Sequence, residues 1–235
     1  TIRTDEWSTS TPYILSQGLG KDQHDYFDDK LRSTETDMFT MVGDLAQGIH
    51  SYRSLTEWDS VLKLFPRATY ATLQKSYRTT IEIMEVANKI LSKMDEDLPL
   101  VEPVVRHGKD PTFIRCEAFN ADTILKTYNA IKSNGHRSIA LIAKTTAEAK
   151  TIVSRLVEAR MPVSLLDESA TLDQSKLLVV PSHLAKGLEF DAVIIAAFDT
   201  PFYDHPIDRK LLYVALTRAM HELYLIGPDE KTFLL

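Results

Sequence analysis

The chain has 235 residues, of which 44% are hydrophobic and 26% charged, and carries a net charge of −6. That is enough apolar material for a packed core, while the acidic balance excludes a protein that holds nucleic acid by bulk positive charge and leaves room only for a local contact groove. The single cysteine, Cys116, excludes an internal disulfide framework and a multi-cysteine metal site, and points to a reducing interior.

In chain order, residues 1–37 are polar with brief apolar islands and read as a partly irregular lead-in. From Met38 onward, short β-type runs alternate with helical patterns. The strand candidates are MFTMV (38–42), ATYATL (68–73), FIRCEAF (113–119), SIALIA (138–143), MPVSLL (161–166), KLLVVP (176–181), DAVIIAA (191–197) and LYLIG (223–227). Helices are predicted over Ser54–Phe65, Thr79–Lys93, Ala121–Ser133, Ala147–Ala159 and Ile207–Met220. This alternation predicts an α/β fold whose mainly parallel sheet is covered by helices. The run AVIIAA is apolar on both faces, as a doubly covered sheet requires. Residues 94–111 break the rhythm with three prolines and a glycine, and read as a short insertion within a domain spanning 38–235. No secretory leader and no apolar run of about 18 residues is visible, so a soluble, cytoplasmic chain without a membrane partner is expected.

Four stretches carry candidate chemistry. In MVGDLAQGIHSYR (41–53), Gly43 and Gly48 have the glycine spacing of a phosphate-binding loop, but Ile49 and His50 stand where that loop needs Lys and Ser or Thr. A strand-to-helix turn capped by Asp44 is the plainer reading. In LQKSYRTTIEIMEVANKIL (73–91), Thr79 or Thr80 caps a helix whose Ile83, Val86, Ala87, Ile90 and Leu91 face the core. Arg78 then precedes a helix N-terminus, where it can meet an anion that the helix dipole also favours. A surface pair with Glu82 is the alternative. In PSHLAKGLEFDAVIIAA (181–197), Glu189 lies at the leading edge of a buried strand, suited to a ribose or simply to solvent. His183, a lone histidine, is more often structural than a ligand.

The fourth stretch is KLLYVALTRAMHELYLIG (210–227). As a helix through Met220 it is apolar almost all round, yet Arg218 projects between Val214 and Leu211. A guanidinium on a mostly buried helix is costly unless an anion meets it.

Together and in this order, VGDLAQGIHSYR, LQKSYRTTIEI, HLAKGLEFDAVI and KLLYVALTRAMHELYLIG resemble motifs III to VI of the UvrD/Rep-type superfamily 1 helicases. The resemblance covers residues 38–227, and the wording of the first two stretches is most similar to the HelD (helicase IV-like) branch, whose members remodel RNA polymerase. It implies a RecA-like, three-layer C-terminal motor domain that lacks its own P-loop. ATP would lie in a cleft shared with an N-terminal RecA-like domain of the same polypeptide, and the anion awaiting Arg218 would be its γ-phosphate. Arg218 matches the arginine finger, Arg78 the motif IV arginine, Gln47 the γ-phosphate-sensing glutamine and Glu189 the ribose-binding glutamate, with Gly187 beside it. His50, Tyr52, Arg53 and His183 match positions that face single-stranded DNA. His50 replaces the usual tyrosine, and Ser54 replaces the glycine that usually follows motif III.

No G-x-x-x-x-G-K-[ST] occurs, and Asp5-Glu6 lies in a polar stretch unlike a Walker B strand. The phosphate cradle and the Mg2+ ligand are therefore expected from the upstream domain, and the chain alone is expected to be inactive. The implied edge should be open to solvent, with Arg218 unpaired and neutral for folding. Two further readings stand beside the DNA helicase or translocase. One is a HelD-type RNA polymerase remodelling factor without true unwinding; the other is a binding module that has lost catalysis. The intact Gln47, Arg78, Glu189 and Arg218 argue against the last.

Overall fold

The computed structural model describes residues 14–16, 40–42, 44–49, 62–63, 69, 71–72, 75–94, 98–103, 106–166, 176–203 and 205–235. Its contacts divide the chain into two compact units, Thr1–Thr69 and Tyr70–Leu235.

In the first unit, β1 (Ile14–Ser16) runs parallel to β2 (Thr40–Val42), with Ile14 opposite Thr40. Asp44 then caps a 3-10 turn over Leu45–Gln47: its carboxylate accepts the Ala46 N–H at 2.9 Å and Gln47 Nε2 at 2.6 Å. The capped turn read from the sequence is present, in a shorter form than a helix. Of the predicted helix 54–65, only Leu62 and Lys63 are among the described residues, and both are helical.

The second unit contains β3 (Lys75–Ser76), α1 (Ile81–Leu91), β4 (Glu102–Pro103), β5 (Thr112–Arg115), α2 (Ala121–Ser133), β6 (Ile139–Ala143), α3 (Thr146–Glu158), β7 (Val163–Leu165), β8 (Leu177–Pro181), β9 (Phe190–Ala196), α4 (Pro206–Leu216) and β10 (Ala219–Gly227). Six of these strands form one sheet in the order β5-β10-β9-β6-β8-β7, every pair parallel. The three central strands owe their position to composition. All residues of β6 and β8, and all but Asp191 of β9, are buried, so both faces need a cover. One face is covered by Ile124, Tyr128 and Ile131 of α2 and Ala149, Ile152 and Leu156 of α3, packed on Ile139, Leu141, Val179, Ala192 and Ile194. On the other, α4 contacts β9 and β10 while α1 packs against α4 and β10. This is the three-layer α/β architecture expected from the sequence.

Helix starts follow their caps. Thr80, Asn120 and Thr145 each accept the backbone N–H three residues on, opening α1, α2 and α3. Two predicted elements differ. The described residues of ATYATL (Thr69, Ala71, Thr72) form no strand; the strand lies later, at Lys75–Ser76, and pairs with β4 of the predicted insertion. The predicted helix 207–220 ends at Leu216. Its last turn is closed by side chains: Thr217 Oγ1 donates to the Tyr213 and Val214 carbonyls at 2.9 and 3.1 Å, and Arg218 Nε takes Val214 O at 3.0 Å. The Arg218 N–H turns to Ala215 O instead, and β10 begins at the next residue.

Residues 106–108 cross the start of α1. The Arg106 carbonyl accepts the Ile81 N–H, His107 Nδ1 lies 2.9 Å from Glu82 Oε1, and the Gly108 N–H donates to Glu82 Oε2 at 2.8 Å. These bonds, His107 foremost, hold the Glu82 carboxyl down from 4.5 to about 2. A depressed folded value means that the stabilisation is complete above pH 4.5 and disappears as pH falls toward 2. Melting temperature followed through that interval should fall less in Glu82→Gln than in the wild type. Parallel curves would show that these bonds do not favour the charged carboxylate.

Candidate functional site

β9 and β10 begin side by side, with the Phe190 N–H donating to the Arg218 carbonyl at 3.0 Å. Glu189 and Arg218, each immediately before its strand, therefore share the amino edge of the sheet. Glu189 arrives there by a short return from β8. The 3-10 turn Ser182–Leu184 follows β8, its buried Ser182 hydroxyl bound to Ala143 O at 2.9 Å. Next comes a turn closed by Leu188 N–H to Ala185 O, in which Gly187 has φ +82°. That geometry is a type II turn, whose third residue needs a positive φ and hence glycine. A Cβ on Gly187 would meet nothing within 4 Å, so the glycine is there for conformation, beside open space.

Arg78, in the bend before α1, reaches into the same place. Its Nε lies 2.6 Å from Glu189 Oε1, with both side chains half exposed. The alternative pairing of Arg78 with Glu82 is not what the fold uses, because Glu82 is taken by His107 and Gly108. A half-exposed pair contributes only about 0–1 kcal/mol. Such a pair is cheap to open. Beside it, the Tyr77 ring is 72% exposed.

Arg218 departs from the sequence expectation. It lies in the turn after α4 instead of on a helix, and it is 1% exposed, not open to solvent. Its guanidinium donates to Val214 O at 3.0 Å, Leu188 O at 3.2 Å and Thr217 Oγ1 at 3.1 Å. The expectation of an unpaired arginine is thus corrected: part of the negative charge sought for Arg218 is the carbonyl end of its own helix, where the dipole favours a cation. Through Leu188 it also grips the residue before Glu189. Arg78, Gly187, Glu189 and Arg218, from three separate segments of the chain, meet at one loop. His183 is exposed in the turn after β8. Gln47 belongs to the first unit, while His50, Tyr52 and Arg53 lie outside the described residues. Neither composition nor spacing points to the Leu188 carbonyl or to Arg106, whose guanidinium donates to the Arg78 carbonyl at 2.6 Å; Tyr77, adjacent to Arg78, is legible in the sequence as an aromatic neighbour.

The sequence profile of the UvrD-like helicase C-terminal domain matches residues 176–226, the span holding Gly187, Glu189 and Arg218. The fold is similar to the crystal structure of the C-terminal domain of a possible DNA helicase from Lactobacillus plantarum. The two are 31% identical with a TM-score of 0.53, over 65% of this chain and 87% of that one. The chain belongs to the UvrD-like helicase C-terminal domain family. Among its relatives, the ATP-dependent DNA helicase PcrA of Leuconostoc citreum is 24% identical over 155 residues, covering 62% of this chain and 20% of that protein. A Mycoplasma pneumoniae protein named as a probable DNA helicase is 26% identical over 227 residues, covering 86% of this chain and 40% of that protein. This UvrD-like domain thus spans between a fifth and two fifths of the length of those relatives. Among its described residues, no group of three or more His, Cys, Asp or Glu could hold a metal ion, and no helix is long and apolar enough to cross a membrane.

Proposed function

We propose that the chain is the C-terminal motor domain of a cytoplasmic, ATP-dependent DNA helicase or translocase, and that Arg78, Gly187, Glu189 and Arg218 form its side of an ATP site shared with an upstream RecA-like domain. The observation that carries the proposal is the Arg78–Glu189 pair at 2.6 Å, with Leu188 of the same loop held by Arg218. Two guanidinium groups and a carboxylate beside an open glycine turn suit a nucleoside triphosphate. The cations meet the charge that develops on the phosphoryl oxygens, and the carboxylate accepts from ribose hydroxyls. Arg78 exchanges Glu189 for phosphate, and Arg218 does so by releasing the Leu188 carbonyl. The exposed Tyr77 ring suits stacking on the base.

Gln47 is assigned to γ-phosphate sensing, and His50, Tyr52, Arg53 and His183 to single-stranded DNA, on their motif positions. ATP would supply the free energy, with Mg2+ to neutralise its phosphates; the metal ligand and phosphate cradle would come from the upstream domain, which would leave the chain alone catalytically incomplete. A HelD-type role in remodelling RNA polymerase rests on the wording of the motifs around Gln47 and Arg78. Strand displacement against polymerase pull-down, both with the full-length protein, separates the two.

The test is Arg78→Ala in the full-length protein. ATP turnover is expected to fall by about 10²-fold or more, with the melting temperature of the chain nearly unchanged because the lost pair is half exposed. Undiminished turnover would remove Arg78 from the ATP site.

A further inference from the structure

We propose that Arg106 is a positioning residue that fixes Arg78 relative to the start of β10, an inference that rests on the reading of Arg78 as a phosphate-binding group. One terminal nitrogen of Arg106 donates to the Arg78 carbonyl at 2.6 Å and to the Met220 carbonyl at 2.8 Å. Met220 lies two residues after Arg218, inside a register shift of the β10–β9 ladder between Ala219 and Glu222. A bulge takes a carbonyl out of regular pairing, and Arg106 takes up this one. The bend that carries Arg78 and the strand that follows Arg218 are thereby tied to a single atom.

The rest of the segment makes that atom a fixed point. Two-residue pairing of β3 with β4 sets Arg78 and Arg106 each a few residues beyond its strand. The Arg106 carbonyl takes the Ile81 N–H, and Gly108 lies so close to the α1 cap that a Cβ would come within 2.4 Å of Thr80 Cγ2. Arg106 Nε is buried without a hydrogen-bond partner among the described residues. A stranded buried donor is costly, so a residue kept only for stability would sooner be an apolar side chain of similar length. The geometry favours retention for placement. A misplacement of about 1 Å at a reacting centre can cost up to 10²-fold in rate.

The test uses Arg106→Met, which keeps an unbranched stem as far as the position of Nε and removes both bonds, with Arg106→Gln, of the same reach but polar at its end, read the same way should the methionine variant fail to fold. In the 235-residue chain the Arg78 Nε–H resonance, assigned by its displacement in Glu189→Gln, reports the ion pair directly. It is expected to move to the position of a free guanidinium in Arg106→Met. Arg106→Lys, which also presents one nitrogen, should restore it part-way. In the full-length protein kcat should fall roughly tenfold with KM for ATP nearly unchanged. An Arg78 resonance that stays in place in Arg106→Met overturns the proposal. A resonance that moves, together with normal turnover in both Arg106→Met and Arg78→Ala, supports the positioning role and overturns the ATP-site reading instead.

Discussion

Arg218→Ala is expected to lower the stability of the isolated chain by about 3 kcal/mol or more and to cut turnover of the full-length protein by about 10³-fold or more. The first effect follows from burial. The substitution strands the Leu188 carbonyl, takes one of two donors from the Val214 carbonyl and a partner from the Thr217 hydroxyl, and opens a cavity where a 1% exposed side chain stood. Each stranded polar group costs about 1–3 kcal/mol. The second effect follows from the proposed exchange of the Leu188 carbonyl for phosphate. Urea denaturation of the chain and ATP hydrolysis by the full-length protein measure the two separately. Lost stability with normal turnover would reduce Arg218 to a helix cap. Normal stability with lost turnover would mean that the inward bonds contribute nothing, as the sequence alone implied.

Asp208→Ala should be comparably destabilising, by about 3–5 kcal/mol, because it strands a buried ammonium. Lys144 Nζ lies 2.6 Å from Asp208 Oδ2, with the two side chains only 11% and 8% exposed. The same lysine donates to Pro201 O at 2.9 Å, and Asp208 also accepts the Tyr203 N–H at 2.9 Å. The pair fastens the end of β6 to the first turn of α4 at the carboxyl edge of the sheet. Replacing both partners with apolar residues, Lys144→Met with Asp208→Leu, should recover most of the loss, since no uncompensated charge remains. A double variant as unstable as Asp208→Ala alone would show that the cost lies in the backbone bonds and not in the charge.

Some of this architecture is legible in the amino-acid sequence for simple reasons. β6, β8 and β9 are continuous apolar runs of strand length, and α2 is bounded by Asn120 at one end and Asn134 at the other, so pattern and caps agree. The two-residue β3 and β4 leave no such trace, because half their residues are exposed and a ladder that short imposes no alternation. The end of α4 is hidden for the opposite reason. LLYVAL runs into AMHELYLIG with no glycine or proline between them, and what stops the helix is Thr217 and Arg218 bonding backward. Extending the helix through Met220 set Arg218 on a helix face awaiting an outside anion, when its first partners are inside. The meeting of Arg78 with Glu189 followed from motif order, not from any local pattern. The brace made by Arg106 had no precursor in composition or spacing, since it depends on a bulge formed more than 100 residues away.

β9 has mechanical meaning beyond its place in the ladder. It begins one residue after Glu189 and ends just before the segment whose Pro201 carbonyl holds Lys144. Seven residues of extended chain make a rod of roughly 20 Å, and this one is clamped by β10 on one side and β6 on the other. Close-packed interiors have low compressibility, so a push on the Glu189 end finds no soft joint in which to dissipate. The loop that carries Glu189 and the segment that carries Pro201 are thus the two ends of one doubly flanked strand with no glycine or proline in it.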